Sequence, residues 1–242
     1  MMARRRILAI AAVFLANPGL ALAGVARKMQ LVTSHLPSLV HESGPPGGLQ
    51  ELVAELCRRA GVQPATQFVP WRRAQFLATT MPATAIYPLT RLPEREAQYR
   101  WLVPLFEENY VLLAVRGKLL PVEQMKDKRI ALLRGAAQAA ILKEQGFTRF
   151  VEASSIDEVH RFLLGGMADA AFGERRIISA SLKGHGAGKS EFDTSAPVRT
   201  TTAWLAGSLD FDQEDAALFQ RALDTMRADG TLRRILARHN LS

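Results

Sequence analysis

Apolar and polar positions along this chain switch repeatedly between two periods, and the switches mark out its elements. Met29 to Thr33 is a short apolar run that reads as a strand, followed by a polar, Gly/Pro-rich stretch from Ser34 to Gly48. Leu49, Leu52, Val53 and Leu56 then recur at helical spacing in a run from Leu49 to Ala60 that Gly61 stops. Thr66 to Val69 reads as a second strand ended by Pro70, Trp71 to Thr79 as a short helix, and Ala83 to Tyr87 as a third strand. Leu102 to Val115 is long, apolar and strand-like, with Glu107-Glu108-Asn109 inside it.

After Pro121 a second series begins. It reads as strand Arg129 to Leu133, helix Ala136 to Gln145, strand Phe150 to Glu152 and helix Ile156 to Leu164. Strand Ala168 to Phe172 and helix Glu174 to Leu182 follow, then a glycine-rich stretch, Lys183 to Lys189, expected to be a mobile surface loop. Val198 to Leu205 is a further strand. Helices Gln213 to Ala228 and Thr231 to His239 close the chain, the first with Ala216, Phe219, Ala222, Leu223 and Met226 on one face. Strands alternating with helices predict an α/β architecture with a largely parallel sheet. Two such series joined by long strands near residues 110–116 and 198–205 predict two lobes with a cleft between them, which would close about a hinge.

The first residues change the picture of where the chain works. Arg4-Arg-Arg6, an apolar run from Ile7 to Ala16 and an Ala21-Leu-Ala23 exit describe an export signal, with cleavage expected after Ala23. The run of about ten residues is short of the roughly 20 that span a bilayer, and Asn17-Pro18-Gly19 breaks it. No cysteine stands at the cleavage point, so a lipid anchor is not expected, and no later stretch suits stable membrane insertion. Losing three arginines lowers the net charge from +8 to +5. The positive charge is scattered and not interleaved with aromatics, which argues against nucleic-acid binding. Cys57 is the only cysteine, so no internal disulfide can form, and it reads as a small buried hydrophobe beside the first helical stripe.

The segment from Tyr87 to Phe106 holds the most suggestive chemistry. An apolar run, Ala85 to Leu89, stops at Thr90-Arg91, and Thr90, Arg91 and Arg95 follow within six residues. Hydroxyl and guanidinium donors at a strand end suit a carboxylate or another small anion.

Several motifs together resemble family 3 extracellular solute-binding proteins, the periplasmic receptors of polar amino-acid ABC importers. They are the Leu36-Pro37 turn, Val69-Pro-Trp-Arg-Arg-Ala74, Thr90-Arg-Leu-Pro-Glu-Arg-Glu96, Trp101-Leu-Val-Pro-Leu105 and Lys128-Arg-Ile-Ala-Leu-Leu-Arg-Gly135. Leu163-Leu-Gly-Gly-Met-Ala-Asp-Ala-Ala-Phe172 and Ala222-Leu-Asp-Thr-Met-Arg-Ala-Asp-Gly-Thr-Leu-Arg-Arg-Ile235 complete the set, in the family's order and over nearly the whole mature chain. The resemblance implies a two-lobed, type II periplasmic-binding fold, each lobe a sheet flanked by helices. Lobe 1 would span 24–113 and 205–242, and lobe 2 would span 114–204, after a signal peptide at 1–23.

It also implies a division of labour. Arg95 would pair bidentately with a ligand carboxylate, with the Thr90 N–H and hydroxyl close by. The turn Gly135-Ala136-Ala137-Gln138 would offer backbone donors from lobe 2, although Ala136 and Ala137 stand where many relatives carry Ser or Thr. Glu174 would meet a ligand amine, or else serve as an acid at a helix N-terminus. Trp71 could line the cleft, His35 could act as an aromatic lid, and Arg91 is a surface residue or a specificity element. The implied partners are a small carboxylate-bearing ligand and an inner-membrane ABC permease, for a monomeric periplasmic receptor without cofactor. An enzyme of cyclohexadienyl dehydratase type on the same fold, with Glu174 as general acid, is the alternative.

Other motifs fail. Gly184-His-Gly-Ala-Gly-Lys-Ser190 lacks the glycine a phosphate loop needs at position 183, where Lys183 stands. The five histidines show no metal-ligand spacing.

Overall fold

A computed structural model describes residues 27–184 and 191–241; the stretch expected to be an export signal and most of the glycine-rich stretch fall outside them. The first series is β1 (Arg27–Thr33), α1 (Gly48–Arg59), β2 (Val62–Phe68), α2 (Trp71–Thr80) and β3 (Thr84–Thr90). A 3-10 turn (Pro93–Arg95) leads into β4 (Arg100–Val115). The second series is α3 (Val122–Met125), β5 (Ile130–Leu133), α4 (Gln138–Glu144), β6 (Phe150–Ala153), α5 (Ile156–Leu164), β7 (Ala170–Glu174) and α6 (Arg175–Gly184). β8 (Phe192–Thr194), β9 (Arg199–Gly207), α7 (Gln213–Ala228) and α8 (Thr231–Arg238) complete the chain.

Hydrogen bonding runs through the sheet in the order β2-β1-β3-β9-β4-β7-β5-β6, with β8 on β4. The two wings are parallel, β1 with β2 and β3, and β5 with β6 and β7. The middle is antiparallel, because β9 returns between β3 and β4 and β4 pairs with β7. The expected parallel sheet is therefore found only in the wings.

Apolar burial divides along β4. Val103 and Phe106 belong to a cluster with β1, α1, β3, β9 and α7. Two residues of the next stretch, Tyr110 and Leu112, pack into a second cluster with β5 and α4, while Val111 and Leu113 pack into a third with α5 and α6. One sixteen-residue strand thus enters three apolar clusters, as its near-continuous apolar character allows.

The helices form for reasons visible in the sequence. The α1 stripe Leu49, Leu52, Val53 and Leu56 is buried, and Cys57 beside it is fully buried. Gln50 fixes the preceding loop, its amide oxygen accepting from the N–H groups of His41 and Gly47 at 2.7 Å each. Gly47 is required by a close backbone approach: a Cβ there would overlap the Leu39 carbonyl and lie 2.9 Å from the Val40 nitrogen. Ser155 caps α5 by accepting from the Glu158 N–H at 3.2 Å, and Glu158 accepts in return from the Ser154 N–H.

Three of the boundaries that differ from expectation have a clear physical reason. β2 begins at Val62 and contains Pro64, which is tolerated because β2 is an edge strand bonded only to β1. Glu174 ends β7 and does not open the next helix, its register against Tyr110 holding it in the sheet. α4 starts at Gln138, with Ala136 and Ala137 in the turn before it, since neither alanine supplies a side-chain cap.

Candidate functional site

β3 ends at Thr90, and its partner β9 sets Ala203 opposite Thr90 on one side and opposite Phe106 of β4 on the other. Residues two apart on a strand share a face, so Glu108 and Tyr110 project on the Phe106 side. β7 brings Glu174 directly opposite Tyr110. The 3-10 turn places Arg95 over the end of β3, and the left-handed Gly135 turns the chain from β5 so that Ala136, Ala137 and Gln138 face it. Trp71 opens α2 after Pro70.

These residues converge on one small cavity of about 40 Å³. Of the eight residues singled out in the sequence, Arg95, Thr90, Trp71, Ala136, Ala137, Gln138 and Glu174 line it. His35 does not. It is exposed and borders a neighbouring depression of about 260 Å³ that shares Trp71 and Leu133. Arg91 also points elsewhere, pairing with Glu96 and lying over the Trp101 and Trp204 rings at 5.2 and 4.9 Å. Asp169 accepts from the Arg129 N–H at 2.9 Å and so ties the start of β7 to the start of β5.

Sequence reasoning missed Glu108 and Tyr110. A carboxylate inside an apolar strand suggests an exposed position, and only the alternation Phe106, Glu108, Tyr110, Leu112 signals the reverse. All four are buried, while Glu107 is exposed.

The cavity's polar groups are tightly engaged. Arg95, 8% exposed, donates from Nη1 to the Thr90 carbonyl and from Nη2 to the Gly135 carbonyl, each at 3.1 Å. Gln75 donates to the same Gly135 oxygen at 2.8 Å, so both halves of the molecule meet there. Burial pulls the Arg95 guanidinium below its usual value, opposed first by Tyr110 and Tyr99 and then by the charges of Glu94 and Glu108. The guanidinium nevertheless stays charged at any physiological pH.

The Thr90 hydroxyl donates to Glu108 Oε2 at 2.9 Å and shares a 2.9 Å hydrogen bond with the Tyr110 hydroxyl, which lies 3.4 Å from Glu108 Oε1. Glu174 Oε2 accepts from the N–H groups of Arg176 and Ile177 at 2.8 and 3.1 Å, and Oε1 accepts from the Arg176 guanidinium at 3.2 Å. The Ala136 N–H is taken by the Leu133 carbonyl at 3.2 Å. Trp71 is buried with its indole N–H unpaired. Among the described residues no cluster of His, Cys, Asp and Glu could hold a metal ion.

Burial is the largest cause of the Glu108 carboxyl's rise to about 8; Thr90 and Tyr110 hydrogen bonds oppose it and the nearby Glu174 charge adds to it. Burial likewise raises Glu174. A carboxyl that holds its proton in the folded chain and loses it near 4.5 when unfolded contributes stability that is complete below 4.5 and lost as pH rises through about 8. Urea midpoints of the wild type should therefore fall between pH 5 and pH 8.5, and those of Glu108→Gln should fall less. Equal slopes in the two proteins would overturn this account of the Glu108 proton.

No protein-family model matches the chain, and no curated protein matches it in sequence. Solved structures do match in shape. A histidine kinase sensor domain with similarity to periplasmic binding proteins is 17% identical, covering 88% of this chain and 95% of its own, at a TM-score of 0.79. The GluR0 ligand-binding core of Nostoc punctiforme, in complex with L-glutamate, is 15% identical over 87% of this chain and 98% of its own, with TM-score 0.76. An amino-acid ABC transporter substrate-binding protein from Streptococcus pneumoniae, bound to L-arginine, is 12% identical over 88% and 94%, with TM-score 0.75. The chain has the type II periplasmic-binding fold, an α/β architecture with a central sheet flanked by helices. Among the described residues, no helix is long and apolar enough to cross a membrane.

Proposed function

We propose that the chain is an exported solute-binding protein that captures a small carboxylate-bearing solute, an amino acid or a relative of one, between two lobes. On this reading lobe 1 comprises residues 24–113 and 205–242, lobe 2 comprises 114–204, and residues 1–23 are removed on export. The loaded monomer would hand its solute to an inner-membrane ABC permease. One observation carries the reading: Arg95 is a buried guanidinium at the meeting point of both halves that donates only to neutral acceptors. A buried fork of this kind gains most from a planar carboxylate, which would replace neutral acceptors with charged ones.

Ligand pockets usually enclose about 300 Å³ or more, so the present cavity of about 40 Å³ must widen to admit an amino acid. Parting the halves at Gly135 is the direct route, since Arg95 and Gln75 both meet that carbonyl. Proteins of the same fold solved with L-glutamate and L-arginine lend the reading support.

A thermal-shift screen of amino acids and small organic acids tests the proposal. A ligand at 100 times its Kd should add about 2.7 kcal/mol of stability, so one or a few carboxylates should raise the melting temperature by several degrees. A flat response across the panel would sink the reading.

A second reading is favoured by one feature, the two raised carboxyls that share the cavity. A protonated acid beside a bound substrate is what a general-acid dehydratase of cyclohexadienyl type requires. Incubation with prephenate and with arogenate separates the two readings, because turnover removes the substrate and binding alone does not.

A further inference from the structure

Two acids face the cavity, and their surroundings differ in kind. The Glu174 carboxylate is already compensated: it receives two backbone N–H groups at the start of α6 and the guanidinium of Arg176. Arg176 itself donates to the Glu107 and Leu241 carbonyls and lies 5.5 Å from the Phe106 ring. Glu174 is thereby built into the joint between β7 and α6, the position of an acid that serves a helix N-terminus.

Glu108 is 3% exposed and is met only by the neutral hydroxyls of Thr90 and Tyr110. Among the charged groups on the elements packed around it, Arg95 is held by the Thr90 and Gly135 carbonyls and Arg176 by Glu174. Of the remaining cations nearby, Arg175 donates to the Ser195 carbonyl and Arg199 of β9 pairs with Glu144. A buried carboxylate with only hydroxyl donors is poorly stabilised and gains strongly from a cation brought to it.

We propose that Glu108, and not Glu174, is the acid that meets the ligand's ammonium group, and that it selects solutes carrying an amine as well as a carboxylate. This rests on the solute-binding reading above and assigns the second end of the ligand. Arg95 holds the carboxylate, and the amine docks against Glu108 between the Thr90 and Tyr110 hydroxyls. The event is a proton exchange: the protonated carboxyl and the incoming R–NH3+ give an ion pair and one proton released to solvent. The raised Glu108 carboxyl makes that release nearly complete at pH 7.

The test takes whichever of the twenty L-amino acids binds the full mature chain most tightly and compares it with its 2-hydroxy acid, which lacks the amine. Calorimetry at pH 7 in phosphate and in Tris, whose ionisation enthalpies differ, should give close to one proton released per amino acid bound by the wild type, and none for the hydroxy acid. Glu108→Gln should weaken the amino acid at least about 30-fold while leaving the hydroxy acid within a few-fold, which also reports that the variant folds. Glu174→Gln should affect the two ligands alike.

Equal weakening of the amino acid and of its hydroxy acid by Glu108→Gln overturns the proposal. So does a selective loss in Glu174→Gln in place of Glu108→Gln. An amino acid bound equally by wild type and Glu108→Gln removes this assignment and leaves the solute-binding reading intact. A wild type that binds none of the twenty but does bind a carboxylate without an amine removes this assignment alone, and one that binds neither class removes both.

Discussion

Replacing Arg95 with alanine is expected to weaken binding of the carboxylate solute at least about 30-fold, because a desolvated charge pair is worth roughly 2–5 kcal/mol when one partner is truncated. The fork, not charge alone, should matter. Arg95→Lys keeps a cation but offers no paired planar donors, so it should recover only a fraction of the affinity. The structural cost should be small by comparison. The two carbonyls released, those of Thr90 and Gly135, border the cavity, where water can replace the guanidinium. Titration calorimetry on both variants, with melting curves beside it, separates the effects. Unchanged affinity in Arg95→Ala would reduce Arg95 to a strap between Thr90 and Gly135 and would remove the carboxylate assignment.

Gly47→Ala should be the most damaging small substitution outside the cavity, costing about 3 kcal/mol, near the upper end for overpacking. The methyl would run into the Leu39 carbonyl and approach the Val40 nitrogen to 2.9 Å, and both obstacles are backbone. Moving them disturbs the bridge between Leu36 and Val40 and the start of α1, where the Leu49 N–H donates to the Leu39 carbonyl at 3.1 Å. Gly44→Ala is the natural comparison. Gly44 has φ +81° and open space around it, so it should cost only about 1 kcal/mol, from the left-handed backbone alone. Urea midpoints at constant m-value report both. Equal losses at the two positions would show that the Leu39 contact relaxes freely.

Periodicity made most of the fold legible. The α1 stripe and the α7 face from Phe219 to Met226 are buried as their spacing predicts, and the long strand near residues 102–115 is a single element. What the sequence hid were effects of pairing. Pro64 argues against a strand, yet it is accommodated where β2 has only one neighbour. Antiparallel order in the middle of the sheet depends on β9 returning between β3 and β4, a choice no local pattern records.

The candidate site was legible in its loops and at strand ends such as Thr90 and Glu174, and illegible within the long strand β4. Arg95, Trp71 and the Ala136–Gln138 turn stand out because loops carry exposed chemistry on a rigid scaffold. Glu108 and Tyr110 sit inside an apolar strand, where a one-residue change of register would turn them to the opposite face. The pairing of Glu108 with Thr201 and of Tyr110 with both Arg199 and Glu174 sets that register, and it becomes known only when the sheet is assembled.

The lone cysteine has a practical meaning. Cys57 lies fully buried on the inner face of α1, and burial pushes its thiol up to about 12, so almost none is the nucleophilic thiolate at neutral pH. To thiol-directed dyes and spin labels the folded chain is close to blank. Cysteines introduced at the exposed Thr79 of α2 and Lys143 of α4 can therefore carry a fluorophore pair without removal of the native residue. That pair would turn any parting of the two halves at Gly135 into a change in energy transfer, read in real time as solute is added.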